Sequence, residues 1–250
     1  MSQLFDLSGK VALVTGGNRG IGLSFARALT RQGARVVIWG RGEARNSVAV
    51  ADLGGDTCAT QVDVSRESDV VSSLADIEVR FGRLDIVVVN AGIIDKKRSF
   101  TDIDSSSWRD LLATNLDGAF FTLREAAKSM IKAGAGGSII VCGSLSVFAG
   151  TRGLQHYAAA KGALAAIVKS MASEFGEHGI RVNMIAPGYI RTESSLEGDK
   201  AAEIARRTPM RRLGTPSDLE AGIAYLASDG ASFHTGDILV VDGGWLANLN

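Results

Sequence analysis

In the stretch QHYAAAKG, Tyr157 and Lys161 stand four residues apart in a run of strong helix formers. Residues at i and i+4 share a helical face, so a phenol and an ammonium point the same way. The chemistry such a pair can do is proton transfer. An unperturbed phenol titrates near pH 10, a poor acid–base match for neutral pH. A nearby ammonium favours the phenolate. Lowering a phenol by about three units takes ~4 kcal/mol, and one close charge in a partly dry site supplies energy of that order. The spacing alone does not establish catalysis, because a surface pair of this kind also arises by chance. Ser144, in VCGSLSVFAG, adds a hydroxyl that can hold a substrate oxygen and stabilise charge developing on it, with Ser146 as a competitor. Asn115, in LLATNLDGAFF, sits inside a long helical stretch where asparagine is unfavourable. It can carry a water linked to Lys161, or mark a helix irregularity without chemistry.

A second group of residues suits a phosphate. VALVTGGNRGIG places Gly16, Gly20 and Gly22 between an apolar run and a helical one. Asn18, Arg19 and Ile21 lie among them. One glycine serves a tight turn, another the close approach of a pyrophosphate, a third close helix–strand packing. The helix start then offers unpaired N–H groups and a partial positive charge. The spacing is G-x-x-x-G-x-G, and no Gly-Lys-Ser/Thr closes it as in a P-loop. At the end of the next apolar run, VVIWGRG puts Gly40 where an NAD-selective site commonly presents an acid, and Arg41 can reach a 2′-phosphate with help from Arg19. Glu43 nearby complicates that choice. NADP is favoured and NAD is the alternative. Asp63 can accept a bond from an adenine amino group while Val64 packs its ring. Asn90, Ala91 and Gly92 give room for a cofactor ribose, and Asn90 can equally tie neighbouring strand ends together.

These residues need a frame. Short β-branched runs at 11–15, 35–39, 57–62, 84–89, 137–142, 180–185 and 237–241 alternate with helical stretches at 20–32, 43–53, 67–81, 106–133, 155–176 and 217–228. Several strands are continuous in Val and Ile, as expected where helices cover both faces of a parallel sheet. Ser65 reads as a helix cap, and Thr215-Pro216 as a cap with a first-turn proline. The rhythm predicts a single α/β domain over 1–250, doubly wound, with about seven parallel strands flanked by helices. The polar segment 191–214 interrupts it and reads as a substrate-side lid.

Bulk properties exclude other classes. Lys+Arg and Asp+Glu both number 27, so nothing demands a nucleic-acid partner. With 46% hydrophobic residues in 250, a full core is expected. The start MSQLFDLSGK lacks the order of a secretory leader, and no apolar run reaches the ~18 residues of a membrane span. A cytoplasmic chain that does not enter membranes follows. Cys58 and Cys142 lie in runs that read as buried strands, suiting reduced thiols. His156, His178 and His234 are too scattered for a metal site, so no metal is expected. His156, beside Tyr157 but on another helix side, reads as a substrate contact or a solvent-exposed residue. The basic run DKKR at 95–98 reads as a solvated loop, with attraction of an anionic substrate as the alternative. Trp245 reads as covering a core or subunit contact.

The order and spacing of TGGNRGIG (15–22), VDV (62–64), NAG (90–92), Asn115, Ser144, YAAAK (157–161), APGYIRT (186–192) and TGDILVVDGG (235–244) resemble the short-chain dehydrogenase/reductase family over essentially the whole chain. The resemblance implies a Rossmann fold and an NAD(P)-dependent alcohol–carbonyl oxidoreductase with an Asn115-Ser144-Tyr157-Lys161 tetrad. Tyr157 would exchange a proton with the substrate oxygen. Lys161 would lower the phenol pKa and bond the nicotinamide ribose. Pro187 and Gly188 would shape the carboxamide side, Ile190 would bond the carboxamide through its backbone, and Thr192 would contact the carboxamide or a phosphate. It also implies a small-molecule carbonyl or alcohol substrate and a homotetramer. Within the family, the chain looks like members acting on sugar acids or polyols and like 3-oxoacyl-carrier-protein reductases. A dinucleotide-binding scaffold or sensor without turnover is the reading from a different class.

Overall fold

Runs such as VALVT and IVVV are buried along their whole length, as strands covered on both faces must be. The computed structural model describes residues 4–193 and 198–248. Seven strands form one parallel sheet: β1 (Val11–Thr15), β2 (Arg35–Gly40), β3 (Thr57–Gln61), β4 (Ile86–Val89), β5 (Gly137–Cys142), β6 (Ile180–Pro187) and β7 (Ile238–Val241), in the order β3-β2-β1-β4-β5-β6-β7. The helices are α1 (Gly20–Arg31), α2 (Glu43–Leu53), α3 (Glu67–Phe81), α4 (Ser105–Leu112), α5 (Gly118–Ala133), α6 (Gln155–Phe175), α7 (Gly198–Arg207) and α8 (Glu220–Ala227).

The two-residue period of the strands divides the core. Leu13, Val37, Val87 and Ile139 face α3, α5 and α6, packing on Leu74, Leu123 and Leu164. Val14, Ile38, Val88 and Ile140 face α1, α2 and α8, packing on Phe25, Ala49 and Ile223. This is a doubly wound Rossmann fold. The chain moves outward from β1 to β3, then returns to lay β4 on the other side of β1. A crevice opens at the carboxyl ends of β1 and β4, where such sheets bind ligands. Among the described residues no helix is long and apolar enough to cross a membrane.

Four local expectations are corrected. The stretch 106–133 is not one helix, because a π-helical segment, Ala113–Asp117, separates α4 from α5. The wide turn lets the Asn115 amide clasp the Ile93 peptide, and Gly118 then sits against the backbone of Val64, where a Cβ would lie 2.8 Å from the carbonyl oxygen. The stretch 217–228 likewise begins as a 3-10 turn, Pro216–Leu219, before α8. Ser65 does not cap α3, since its hydroxyl donates to Asp63 at 2.7 Å and Arg66 holds the cap position. Cys58 is only partly buried, because β3 is an edge strand, while Cys142 is buried; both are free thiols. The Thr215-Pro216 start does form, with the Thr215 N–H donating to Asp218 at 2.7 Å and Arg212 gripping the same carboxylate at 2.6 and 2.7 Å. In the segment expected as a lid, α7 buries only Ala201, and residues 194–197 lie outside the described residues.

Candidate active site

Strand β5 ends at Cys142, and Ser144 follows at its carboxyl edge. Lys161, one helical turn beyond Tyr157 on α6, is 5% exposed and donates from Nζ to the Cys142 carbonyl at 2.6 Å. That bond fastens α6 to the strand end that carries Ser144. Nζ lies 5.7 Å from the centroid of the half-buried Tyr157 ring. Ser144 and Ser146 are partly buried, and the Ser144 hydroxyl accepts from the Ser146 N–H at 3.2 Å. Asn115 is 1% exposed. Its Oδ1 accepts from the Ile93 N–H and its Nδ2 donates to the Ile93 carbonyl, both at 2.8 Å. Asn115 therefore fixes the loop after β4, and the irregularity considered for it is real.

The glycine loop forms a cradle at the start of α1. The first bond of the helix ladder runs from the Leu23 N–H to the Arg19 carbonyl, so the N–H groups of Gly20, Ile21 and Gly22 precede it. Arg19 occupies the cap position with no side-chain cap bond. Gly16 and Gly20 hold φ of 64° and 53°, where a side chain is strained. The cradle is closed by Asn90, whose Nδ2 donates to the Thr15 carbonyl at 3.0 Å, and by Thr15 Oγ1, which accepts from the N–H groups of Asn90 and Ala91 at 3.0 Å each. Asn90 thus ties β1 to β4. Thr192 reaches the same place, its Cγ2 lying 3.7 Å from where a Cβ on Gly20 would stand. These donors and the missing Cβ atoms fit a pyrophosphate.

At the end of β2, a Cβ on Gly40 would lie 2.2 Å from Asn18 Nδ2 and 2.4 Å from Asn46 Oδ1. Asn18 donates to Asn46 at 2.7 Å, and Asn46 donates to the Gly40 carbonyl at 3.0 Å. The clip leaves position 40 no room for an acid. Arg19 and Arg41 are exposed, and among the described residues neither has a salt-bridge partner. Asp63 Oδ1 accepts from the N–H and hydroxyl of Ser65. Burial pushes that carboxyl up, but the Ser65 bonds and the charges of Arg41 and Arg66 outweigh it and hold it below its ordinary value. Val64 is buried in the core beside Gly118, and Gly92 faces Asn115.

Beyond β6, which ends in Pro187, the Gly188 N–H donates to the Val241 carbonyl at 2.9 Å. Ile190 forms a parallel bridge with Gly214. The bonds of that bridge use the peptides of Tyr189 and Arg191, so Ile190's own N–H and carbonyl face away from Gly214. A cavity of about 150 Å³ lies behind this strand, lined by Gly188, Tyr189, Ile190, Met210 and Asp242 among others. Ser144, Tyr157 and Lys161 are not among the residues that line it.

A family model described as enoyl-(acyl carrier protein) reductase matches residues 16–246. Gluconate 5-dehydrogenase of Gluconobacter oxydans is 38% identical over 256 residues, covering 99% of this chain and 98% of its own. The NADP-dependent (R)-specific alcohol dehydrogenase of Lentilactobacillus kefiri is 41% identical over 248 residues, covering 96% and 98%. The crystal structure of a short-chain type dehydrogenase/reductase from Mycobacterium marinum superposes with a TM-score of 0.91 at 36% identity, covering 97% of each chain. The chain belongs to the short-chain dehydrogenase/reductase family. It is an NAD(P)-dependent oxidoreductase.

Of the remaining residues of this dehydrogenase/reductase, His156 and the run 95–98 depart from the sequence reading. His156 is 0% exposed, which overturns its reading as a solvent-exposed residue. His234 lies between Tyr225 and Asp237, and His178 beside Glu177. The run 95–98 is only partly a solvated loop: Lys96 and Lys97 are exposed, while Arg98 pairs with Asp95 and Asp104. Trp245 packs edge-on to Tyr189 with centroids 4.7 Å apart, and the Arg207 guanidinium lies 5.1 Å from its ring centroid. The sequence signal for the loop contacts was faint, because acidic and basic residues in a loop look alike whether solvated or paired.

Proposed function

We propose that this oxidoreductase interconverts a secondary alcohol and a carbonyl with NADP(H), using Tyr157 as the acid and base. The observation that carries the reading is the Lys161–Cys142 bond, which sets the Tyr157–Lys161 face of α6 against the strand end bearing Ser144. Bound NADP(H) supplies or takes up the hydride. In reduction, Ser144 holds the carbonyl oxygen and Tyr157 gives that oxygen its proton. Lys161 favours the phenolate that results and offers further N–H donors to the nicotinamide ribose. Asn115 holds the loop over the site and can carry the water that returns a proton from solvent. In oxidation Tyr157 takes the proton back. Gly20, Ile21, Gly22 and Thr192 hold the pyrophosphate, Asp63 and Val64 the adenine, Ala91 and Gly92 leave room for the ribose, and the Ile190 backbone holds the carboxamide, with Pro187 and Gly188 fixing its approach.

Mixing the protein with NADPH or NADH and a panel of ketones, sugar acids and acyl thioesters tests this. The expected result is cofactor oxidation with at least one ketone or sugar acid. Tight cofactor binding without turnover on any of them would leave only the scaffold reading. Preference for acyl thioesters would favour the carrier-protein reductase reading, for which the 3-oxoacyl-(acyl-carrier-protein) reductase of Chlamydia pneumoniae, 37% identical over 243 residues, gives support. Segment 191–214 acts as the substrate-side lid in this proposal, and the exposed Trp108 and Phe120 of α4 and α5 support a homotetramer.

The choice of NADP rests on the sealed position 40 and the unpaired Arg19 and Arg41. Arg41→Ala is expected to raise KM for NADPH roughly tenfold, the worth of one charge-assisted phosphate bond, with KM for NADH within twofold. Initial-rate kinetics with both cofactors checks this. Equal changes would remove the basis for preferring NADP.

A further inference from the structure

His156 has no task in the reaction as proposed, yet its placement is unusual. It lies fully buried on the first turn of α6, one residue before Tyr157. Nε2 lies 3.4 Å from Asp95 Oδ2, and Nδ1 is buried with no hydrogen-bond partner. A buried polar atom left unpaired is costly, so an imidazole is a poor choice for packing alone where leucine would fill similar space without an orphan. Such violations collect where a function requires them.

The location of the partner says what that function is. Asp95 belongs to the loop between β4 and α4, which faces the turn before α6. The loop is pinned at its start by Asn115, through Ile93. It is pinned at its end by Arg98, whose N–H donates to the Gly153 carbonyl at 3.1 Å and whose guanidinium donates to Asp104 and Ser107 at 3.0 and 2.7 Å. Between these ends, the His156–Asp95 contact joins the middle of the loop to the helical turn that carries the phenol. With Nε2 facing a carboxylate, that nitrogen is the one that donates, and Nδ1 is left without a partner.

We infer that His156 is a positioning residue: its Nε2–H, donated to Asp95, sets the loop after β4 against the Tyr157 turn and so fixes the phenol relative to a carbonyl held in the cleft. The inference rests on the role proposed for Tyr157. It acts on geometry, so its removal slows the step in which the proton moves and leaves the cofactor cradle untouched.

The test compares wild type, His156→Leu, His156→Gln, Asp95→Ala and the double variant His156→Leu/Asp95→Ala on the best substrate of the panel. His156→Leu is expected to lower kcat at least tenfold, with KM for the carbonyl and Kd for NADPH within threefold and Tm unchanged or higher. His156→Gln, whose amide N–H can replace Nε2–H, is expected to return kcat to within threefold of wild type. The double variant is expected to be no slower than the slower single variant, as for two members of one contact. Should His156→Leu not fold, Asp95→Ala at its partly exposed loop position must by itself lower kcat tenfold at unchanged KM. A His156→Leu enzyme with wild-type kcat, a kcat loss accompanied by a lower Tm that glutamine does not rescue, or losses that multiply in the double variant would each overturn the inference. A wild type inactive on the whole panel would instead overturn the Tyr157 reading, and this inference with it.

Discussion

Tyr157→Phe is expected to lower kcat by roughly 10³-fold, within the range typical of losing a general acid–base group, while Kd for NADPH stays within about threefold. The substitution removes one hydroxyl and keeps the ring, so the packing of the first turn of α6 survives. Lys161 is a less clean target. Its Nζ bonds the Cys142 carbonyl at 2.6 Å in a buried setting, and removing it orphans that carbonyl at a cost of about 1–3 kcal/mol. A Lys161 variant therefore loses stability as well as chemistry, whereas Tyr157→Phe separates the two. The measurements are kcat and KM for the best substrate, NADPH affinity by fluorescence titration, and Tm. Near-normal kcat with an intact fold would defeat the proton-transfer assignment. A parallel loss of NADPH affinity would move Tyr157 from the reaction to the binding of the cofactor.

The frame of this site was legible because its signals are local or periodic. Short β-branched runs identified all seven strands, and six helical stretches fell between them, of which 106–133 is split into α4 and α5 and 217–228 opens with a 3-10 turn, while α7 lies within 191–214. The glycine loop was legible as a strand-to-helix turn because an apolar run precedes it and a helical one follows, and Asn90 and Thr15 tie it to β4. What escaped sequence is whatever depends on a partner distant in the chain. Asn115 looked like a weak helix residue. Only the Ile93 peptide, reached across the loop, explains the wide turn around it. Gly40 looked like a missing acid, and the cause is Asn18 meeting Asn46 over it. His156 read as a substrate contact or a solvent-exposed residue because it lies on another helix side from Tyr157, yet it is buried with Asp95 of the loop after β4 at 3.4 Å. Ser65 had the type and place of a cap, but Asp63 two residues earlier offered its hydroxyl a nearer acceptor.

Gly22→Ala tests the cradle with the next largest expected effect. A Cβ on Gly22 would stand 2.2 Å from the Gly16 carbonyl oxygen and 2.5 Å from Asn90 Nδ2. Neither neighbour can yield cheaply. Gly16 is backbone at φ 64°, and Gly17 beyond it is pressed on Ile38, where its own Cβ would lie 2.7 Å from a side-chain carbon. Asn90 holds the ends of β1 and β4 together. The added methyl must push the loop away from the start of α1, which costs about 1–3 kcal/mol of stability as overpacking does and displaces the donors proposed for the pyrophosphate. Kd for NADPH is expected to rise at least 100-fold, about 2.7 kcal/mol, with Tm lowered. Gly162→Ala on α6 is the matched control, since a Cβ there meets nothing within 4 Å. Alanine in a helix interior is expected to stabilise by ~0.5–1 kcal/mol and to raise Tm by about 1–4 °C for a chain of this size, with NADPH binding unchanged. The two variants add the same methyl and should move both observables differently. A Gly22→Ala protein that binds NADPH as wild type does would place the pyrophosphate somewhere other than this cradle.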